Sequence, residues 1–431
     1  MADLVNFSKS HLSKVERGKR PSVQLARACD RALHAEGALS SLAGPQTGTS
    51  AQGEESRAAS PAATADTWSA PWTLHLSVDR GNDFMAFHPR ALSDPTEKPA
   101  VMSWRLPEKP DGEGERSLAL PHFRALFDEC RALGQTLGPG VVSPLLVTAT
   151  NALRTLAGTA PGAERSSLLR LAGRFAEYAG WMSQETGDDS AALWWTDQAA
   201  ALAAACDDHD LVAYSLIRRA EIALYAEDSR GTVELALHAA RQTDNPRVQG
   251  LAAQREAQGY ALQGLDSACR HALDRAASLM SAASADGPPD PDGPPVLGSL
   301  HMDDPTGFVS GWCLLDLGRA EEAAGTLAAG LDTVPETARR ARARHGARLA
   351  LALADCGELE HACAVAAHVT ASLPMVDSAT IRSELRRLNR ALNRWHHDPR
   401  VRSVTAGIAA VLHAEGPRPY GGTGVRGRAV F

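Results

Sequence analysis

Aromatic residues are scarce, 5% of 431 positions, and lysine is rarer still beside abundant arginine. A core poor in rings must be built from small aliphatic side chains, and alanine and leucine dominate here. Alanine is the best helix former and lets helices approach closely, so the bias points to an all-α architecture. No run nears the roughly 18 consecutive apolar residues of a membrane span. The opening Met1-Ala2-Asp3-Leu4 has neither a basic flank nor an apolar signal core, so a cytoplasmic protein without a membrane partner is expected. The seven cysteines, Cys29, Cys130, Cys206, Cys269, Cys313, Cys356 and Cys363, form no CxxC pair. Most lie in apolar helical patterns and read as reduced core residues. There is no GxxxxGK[ST], no GxSxG and no defensible acid–base pair, so neither an enzyme nor a cofactor is expected. His396-His397-Asp398 and Asp188-Asp189 come nearest to a metal pattern. Adjacent helical histidines point about 100° apart, unlike the i, i+4 pair that chelates zinc, so a solvated helix end is expected and no metal site.

What is present begins with a local reversal of charge. The chain carries a net charge of −7, yet Lys9, Lys14, Arg17, Lys19, Arg20, Arg27 and Arg31 face only Glu16 and Asp30 between Phe7 and Arg31. A compact basic block on an acidic protein is the layout of a small nucleic-acid module. The length implies two or three domains. Residues 1–43 form the first unit. Residues 44–70 are mostly Gly, Ala, Ser, Thr, Pro and Gln and read as a disordered linker. In 71–117, Trp72 to Val78 alternates like a strand, with Phe84, Phe87 and Trp104 as a small core. Residues 118–164 read as a helical pair, 165–412 as helical hairpins, and 413–431 as a disordered tail.

The helical stretch repeats. Phe123, Leu126, Phe127, Cys130 and Leu133 recur at spacings of three and four, as do Leu168, Leu171, Ala172, Phe175, Ala179 and Met182. The small residue after each polar turn falls at Ala191, Gly231, Ala268, Ala323 and Ala362, at intervals of 40, 37, 55 and 39. A Pro/Gly/Asp-rich insert, 286–298, accounts for the long one. Helical hairpins at such a period are the signature of a solenoid, and this region resembles tetratricopeptide (TPR) repeats. Near its end, Ile381, Leu385, Leu388 and Leu392 form an apolar stripe with arginines on the other faces, which fits a solvated capping helix. Of the pair Trp194-Trp195, one is expected in the core and one at the surface or in a groove.

At the N-terminus, Ser8 is a good N-cap, Leu12 and Val15 form an i, i+3 apolar pair, and Gly18 can end the helix. Pro21 blocks continuation and Ser22 caps a second helix with the stripe Leu25, Ala28, Cys29, Ala32 and Leu33. The run Leu12 to Ser22, L-S-K-V-E-R-G-K-R-P-S, resembles the XRE (Cro/phage-repressor-like) helix-turn-helix family. It is similar to an actinobacterial subgroup that joins this domain to TPR-like repeats. The resemblance implies that Ser8 to Glu16 enters the major groove of double-stranded DNA. Lys9, Ser10 and Lys14 would then meet base edges, while Ser8, Arg17, Lys19 and Arg20 hold the backbone, with His11 grouped among them. The family domain also has a first helix and a complete second helix, and here only a fragment of the second, Ala2 to Val5, precedes Ser8. The module is therefore read as partial, binding DNA if an upstream start completes it.

The helices preceding the turns of successive repeats carry Tyr178, Trp181, Tyr214, Arg218, Arg219, Tyr260 and Trp312. Inner helices of such solenoids line a concave groove, and this mixed lining suits a peptide or protein effector. The function expected is a homodimeric DNA-binding regulator whose repeats sense that effector. The alternative is a TPR-like interaction scaffold with a vestigial helix-turn-helix.

Overall fold

The computed structural model describes residues 72–76, 82–86, 100–104, 119–285, 293, 295–299 and 305–413. The chain divides into two units, Met1–Trp68 and Ser69–Phe431. The helix-turn-helix expected from the sequence, with Ser8, Lys9, Ser10, His11, Lys14, Arg17, Lys19 and Arg20, falls outside the described residues, as do the stretches 44–70 and 414–431 expected as linker and tail.

Strands β1 (Trp72–His75), β2 (Asn82–Ala86) and β3 (Ala100–Trp104) form an antiparallel sheet in that order. The pairing sets Leu74 opposite Phe84 and Phe84 opposite Met102. The alternation beginning at Trp72 is thus a strand, while the side chains of Phe84, Phe87 and Trp104 lie outside the described residues.

Every described residue from Ala119 on belongs to a helix or a connection between helices. Helices α1 (Ala119–Thr136) and α2 (Pro139–Thr159) precede five hairpins. These are α3 (Gly162–Thr186) with α4 (Asp189–Ala204), and α5 (His209–Tyr225) with α6 (Ser229–Arg241). Then follow α7 (Pro246–Leu262) with α8 (Asp266–Ala285), α9 (Pro305–Asp316) with α10 (Ala320–Thr333), and α11 (Arg339–Asp355) with α12 (Leu359–Val376). Helices α13 (Ala379–Leu392) and α14 (Pro399–His413) end the unit. The second helices of the hairpins start 40, 37, 54 and 39 residues apart, which is the repeat of a TPR-like solenoid. Among the described residues, no helix is long and apolar enough to cross a membrane.

The repeat has a local cause. Each hairpin turns on a left-handed residue: Gly187, Glu227, Gly264, Gly318 and Gly357. Glycine supplies that conformation without steric cost, and four of the five turns use it. Asp188, Asp208 and Asp228 accept from the N–H groups of Ala191, Leu211 and Gly231, capping α4, α5 and α6. Asp188 is therefore a cap, consistent with a helix end.

The stripe from Leu168 to Met182 is buried throughout, as are Phe127 and Cys130, but Leu126 is exposed. Trp195 packs on the core and Trp194 is exposed. Of the six cysteines among the described residues, five are buried, whereas Cys356, at the C-terminal cap of α11, is exposed. The reading of the cysteines as core residues fails there, because the turn carries that position off the apolar face.

The first helices of successive hairpins pack in series, and the series closes. Helix α13 packs on both α11 and α3, while α11 and α12 also touch α1. Its stripe Ile381, Leu385, Leu388 and Leu392 is fully buried. The terminal helices thus form an internal joint instead of a solvated cap. Arg340 is its centre. Its guanidinium donates to the carbonyls of Gly134 (2.6 Å), Leu137 (2.9 Å) and Val376, and pairs with Glu185 at 2.7 Å. Glu185 also accepts from Thr380 at 2.9 Å.

Candidate functional site

The first helices of all five hairpins, together with α1, enclose one cavity of about 170 Å³. Helical spacing puts its lining residues on single faces. From α3 come Arg174, Glu177, Tyr178 and Trp181; from α5, Tyr214, Ile217, Arg218 and Glu221; from α7, Arg247, Leu251, Gln254, Arg255 and Gln258. Helix α9 adds Phe308, Val309 and Trp312, α11 adds Arg340, Ala341, Arg344 and His345, and α1 adds Arg131 and Gln135.

Five of the seven residues assigned to a groove from sequence therefore meet here: Tyr178, Trp181, Tyr214, Arg218 and Trp312. Arg219 and Tyr260 do not. Arg219, about 100° around α5 from Arg218, pairs with Asp197 on α4. Tyr260, two residues past Gln258, is absent from the cavity lining and packs instead on the cluster of Ala257, Ala261, Cys269, Ala272, Val309 and Cys313. Sequence reasoning passed over Arg131, Arg174, Arg247, Arg255, Arg340 and Arg344. Two signals were present: the polar stripe Gln254, Arg255 and Gln258 on an otherwise small-residue helix, and the arginine-dense stretch 339–348.

Cationic charge dominates the wall. Among the described residues, seven arginines line it (131, 174, 218, 247, 255, 340 and 344) against two glutamates, Glu177 and Glu221. Arg174 pairs with Glu177 at 3.2 Å, Arg218 with Glu221, and Arg344 with Glu221 at 2.9 Å. Burial works to raise the Glu221 carboxyl, but Arg218, Arg255 and Arg344 outweigh it and hold the group well below the usual carboxylate range. Burial pushes the Arg174, Arg247 and Arg255 guanidiniums down, with only partial relief from neighbouring acidic groups. Arg255 donates to Gln258 at 2.5 Å, and no carboxylate among the described residues forms an ion pair with it. Its Nε and the Gln258 Nε2 are buried without a hydrogen-bond partner.

Rings separate these charges. Arg344 lies 5.4 Å from the Tyr225 ring and 5.5 Å from that of Trp312, and Arg340 lies 5.6 Å from Trp181. Burial pushes the Tyr214 and Tyr225 hydroxyls up to about 12, so both stay protonated as donors. His345 stacks on Phe308 with centroids 3.9 Å apart. Burial, then Arg344 and Arg348, lowers its pKa well below the ordinary value, so it is neutral.

One stretch of chain already lies in this space. The carbonyls of residues 296–299 accept from arginines of three helices. Arg131 donates to Gly298 at 2.7 Å, Arg174 to Val296 at 3.0 Å, and Arg247 to Leu297 at 2.7 Å and Ser299 at 3.0 Å. Forked guanidiniums with few carboxylates nearby are suited to binding acceptors, whether carbonyls or carboxylates.

No protein-family model and no curated protein matches the chain. Among solved structures it is similar to a Rap protein complexed with competence and sporulation factor. That similarity has a TM-score of 0.40 and 12% identity, covering 69% of this chain and 98% of that one. A likeness at that level assigns neither a ligand nor a mechanism here.

Proposed function

We propose that this chain is a cytoplasmic, homodimeric DNA-binding regulator whose TPR-like domain senses an acidic peptide or protein segment. The observation that carries the sensor half is the cavity, where arginine donors from successive hairpins outnumber the carboxylates beside them. Arg131, Arg247 and Arg255 form no ion pair with a carboxylate among the described residues, and of the three Arg255 alone makes no bond to residues 296–299, so an acidic ligand group would supply its partner. The pattern from Ser8 to Arg20 supports the DNA half, with Lys9, Ser10 and Lys14 reading bases and Ser8, His11, Arg17, Lys19 and Arg20 holding phosphates. Binding is the role in both halves, without catalysis, cofactor or metal.

The test has two arms. With the helix-turn-helix completed by an upstream helix, selection from a random duplex library should yield a palindrome with half-sites about one helical turn apart. Lys9→Ala or Lys14→Ala should then shift base preference at single positions. Lys19→Ala or Arg20→Ala should weaken all sequences alike and reduce the salt slope by roughly 0.9 per phosphate contact. In the second arm, a random peptide library should enrich acidic sequences whose binding drops about tenfold on Arg255→Gln, the loss of one charge-assisted bond. No selective duplex together with Arg255-dependent peptides would leave the scaffold alternative. No enrichment in either arm would sink the proposal.

A further inference from the structure

Resting on the reading of the cavity as a peptide site, we propose that residues 295–299 occupy that site in cis, as a built-in competitor that an incoming peptide must displace.

The first argument is the mode of contact. Each arginine–strap hydrogen bond described above ends on a main-chain carbonyl of four successive residues. Donors that address the backbone ask little of a segment's side chains beyond a residue that accepts the left-handed bend at 298. Arg131, Arg174 and Arg247 therefore form a general peptide clamp, and the occupant now in it is the chain's own.

The second is how the strap is seated. Leu297 packs against the cluster of Ala213, Ile217, Val248 and Leu251. Gly298 adopts a left-handed φ of +84°, and a Cβ there would stand 3.0 Å from the Leu251 side chain. Residues 295–299 are half-buried and none of them fully so, and the arginine bonds that hold their carbonyls can be made equally well to another backbone. The third is room. With the strap in place about 170 Å³ remains, below the roughly 300–1,000 Å³ of ordinary ligand clefts. An extended peptide of several residues fits only by taking the strap's place. Affinity in the intact chain is then reduced by the fraction of molecules in which the strap is seated.

The strap's own sequence is the probe. A labelled peptide Gly-Pro-Pro-Val-Leu-Gly-Ser, matching 293–299, is titrated by fluorescence polarisation into three full-length chains. These are the wild type, the double variant Leu297→Asp with Gly298→Val, and a chain with 295–299 excised. Both altered chains leave the arginines untouched, and circular dichroism checks their helical content. The opened chains should bind the probe at least about tenfold more tightly than wild type. Arg247→Ala in the excised background should then weaken binding about tenfold. Equal binding by wild type and opened chains overturns the inference, as does no binding by an opened chain of native helicity. If library peptides that depend on Arg255 bind wild type and opened chains equally, the strap inference fails while the sensor reading stands.

Discussion

His345 lies against Phe308, buried beside Arg344 and Arg348, with its Nδ1 unpartnered. Its folded pKa is depressed, so the unfolded chain binds a proton there at a pH where the folded chain does not. Stability from this group is complete above the unfolded value of 6.5 and is lost as pH falls from there toward the folded value. The slope reaches at most about 1.4 kcal/mol per pH unit. Urea unfolding between pH 7 and about 5.5 should therefore show falling stability in the wild type and a flatter profile in His345→Gln. Glu221, also depressed, adds its loss only below its ordinary value of 4.5, so the two windows separate. Equal slopes in both proteins would show that His345 titrates alike in the folded and unfolded chain. At this scale the sequence was legible in its rings. Tyr178, Trp181, Tyr214 and Trp312 are rare enough in an alanine-rich chain to stand out. The clamp arginines were not, because arginine is common throughout and only burial distinguishes Arg174 from Arg230.

Glycines show how the same residue serves opposite purposes in different elements. A Cβ at Gly259 in α7 would stand 2.6 Å from Val233 Cγ2 and 3.0 Å from the Ser229 carbonyl oxygen, and the carbonyl cannot swing aside. At Gly325 in α10 a Cβ meets nothing within 4 Å. Gly325→Ala should stabilise the protein by about 0.5–1 kcal/mol through helix propensity. Gly259→Ala should instead destabilise it by about 1–3 kcal/mol through overpacking. Chemical denaturation reads both, and a shift of the same sign for the two would contradict the packing of α6 on α7. Elements were the most legible level. Anchors at Ala191, Gly231, Ala268, Ala323 and Ala362 each fall in the first turn of a second helix, because turn chemistry is local. The role of α13 was not legible, since an amphipathic stripe is the same whether it covers an end or joins two ends.

Closure is a property of the whole helical unit, and Arg340 concentrates it. Four acceptors from α1, the α1–α2 turn, α3 and α12 converge on one guanidinium. Arg340→Ala leaves Glu185 buried without its cation, a loss of about 3–5 kcal/mol. Hydrogen exchange should show α1 and α13 losing protection together, while α6 and α8 change little. Uniform loss across all the helices would mean that the joint has no separate identity, and unchanged protection would remove Arg340 from it.

The sequence by itself determined the alternation of helices, their period and the inner position of most aromatic candidates. Each of these follows from spacing and turn residues within a few tens of positions. Only the tertiary structure decided that the series of hairpins closes, that α11 faces α1 across more than 200 residues, and that 295–299 enters the cavity. These depend on which buried donor finds which distant carbonyl. The pairing of Arg340 with Gly134, or of Arg131 with Gly298, leaves no periodic trace in the chain, because a backbone carbonyl is the same at every residue.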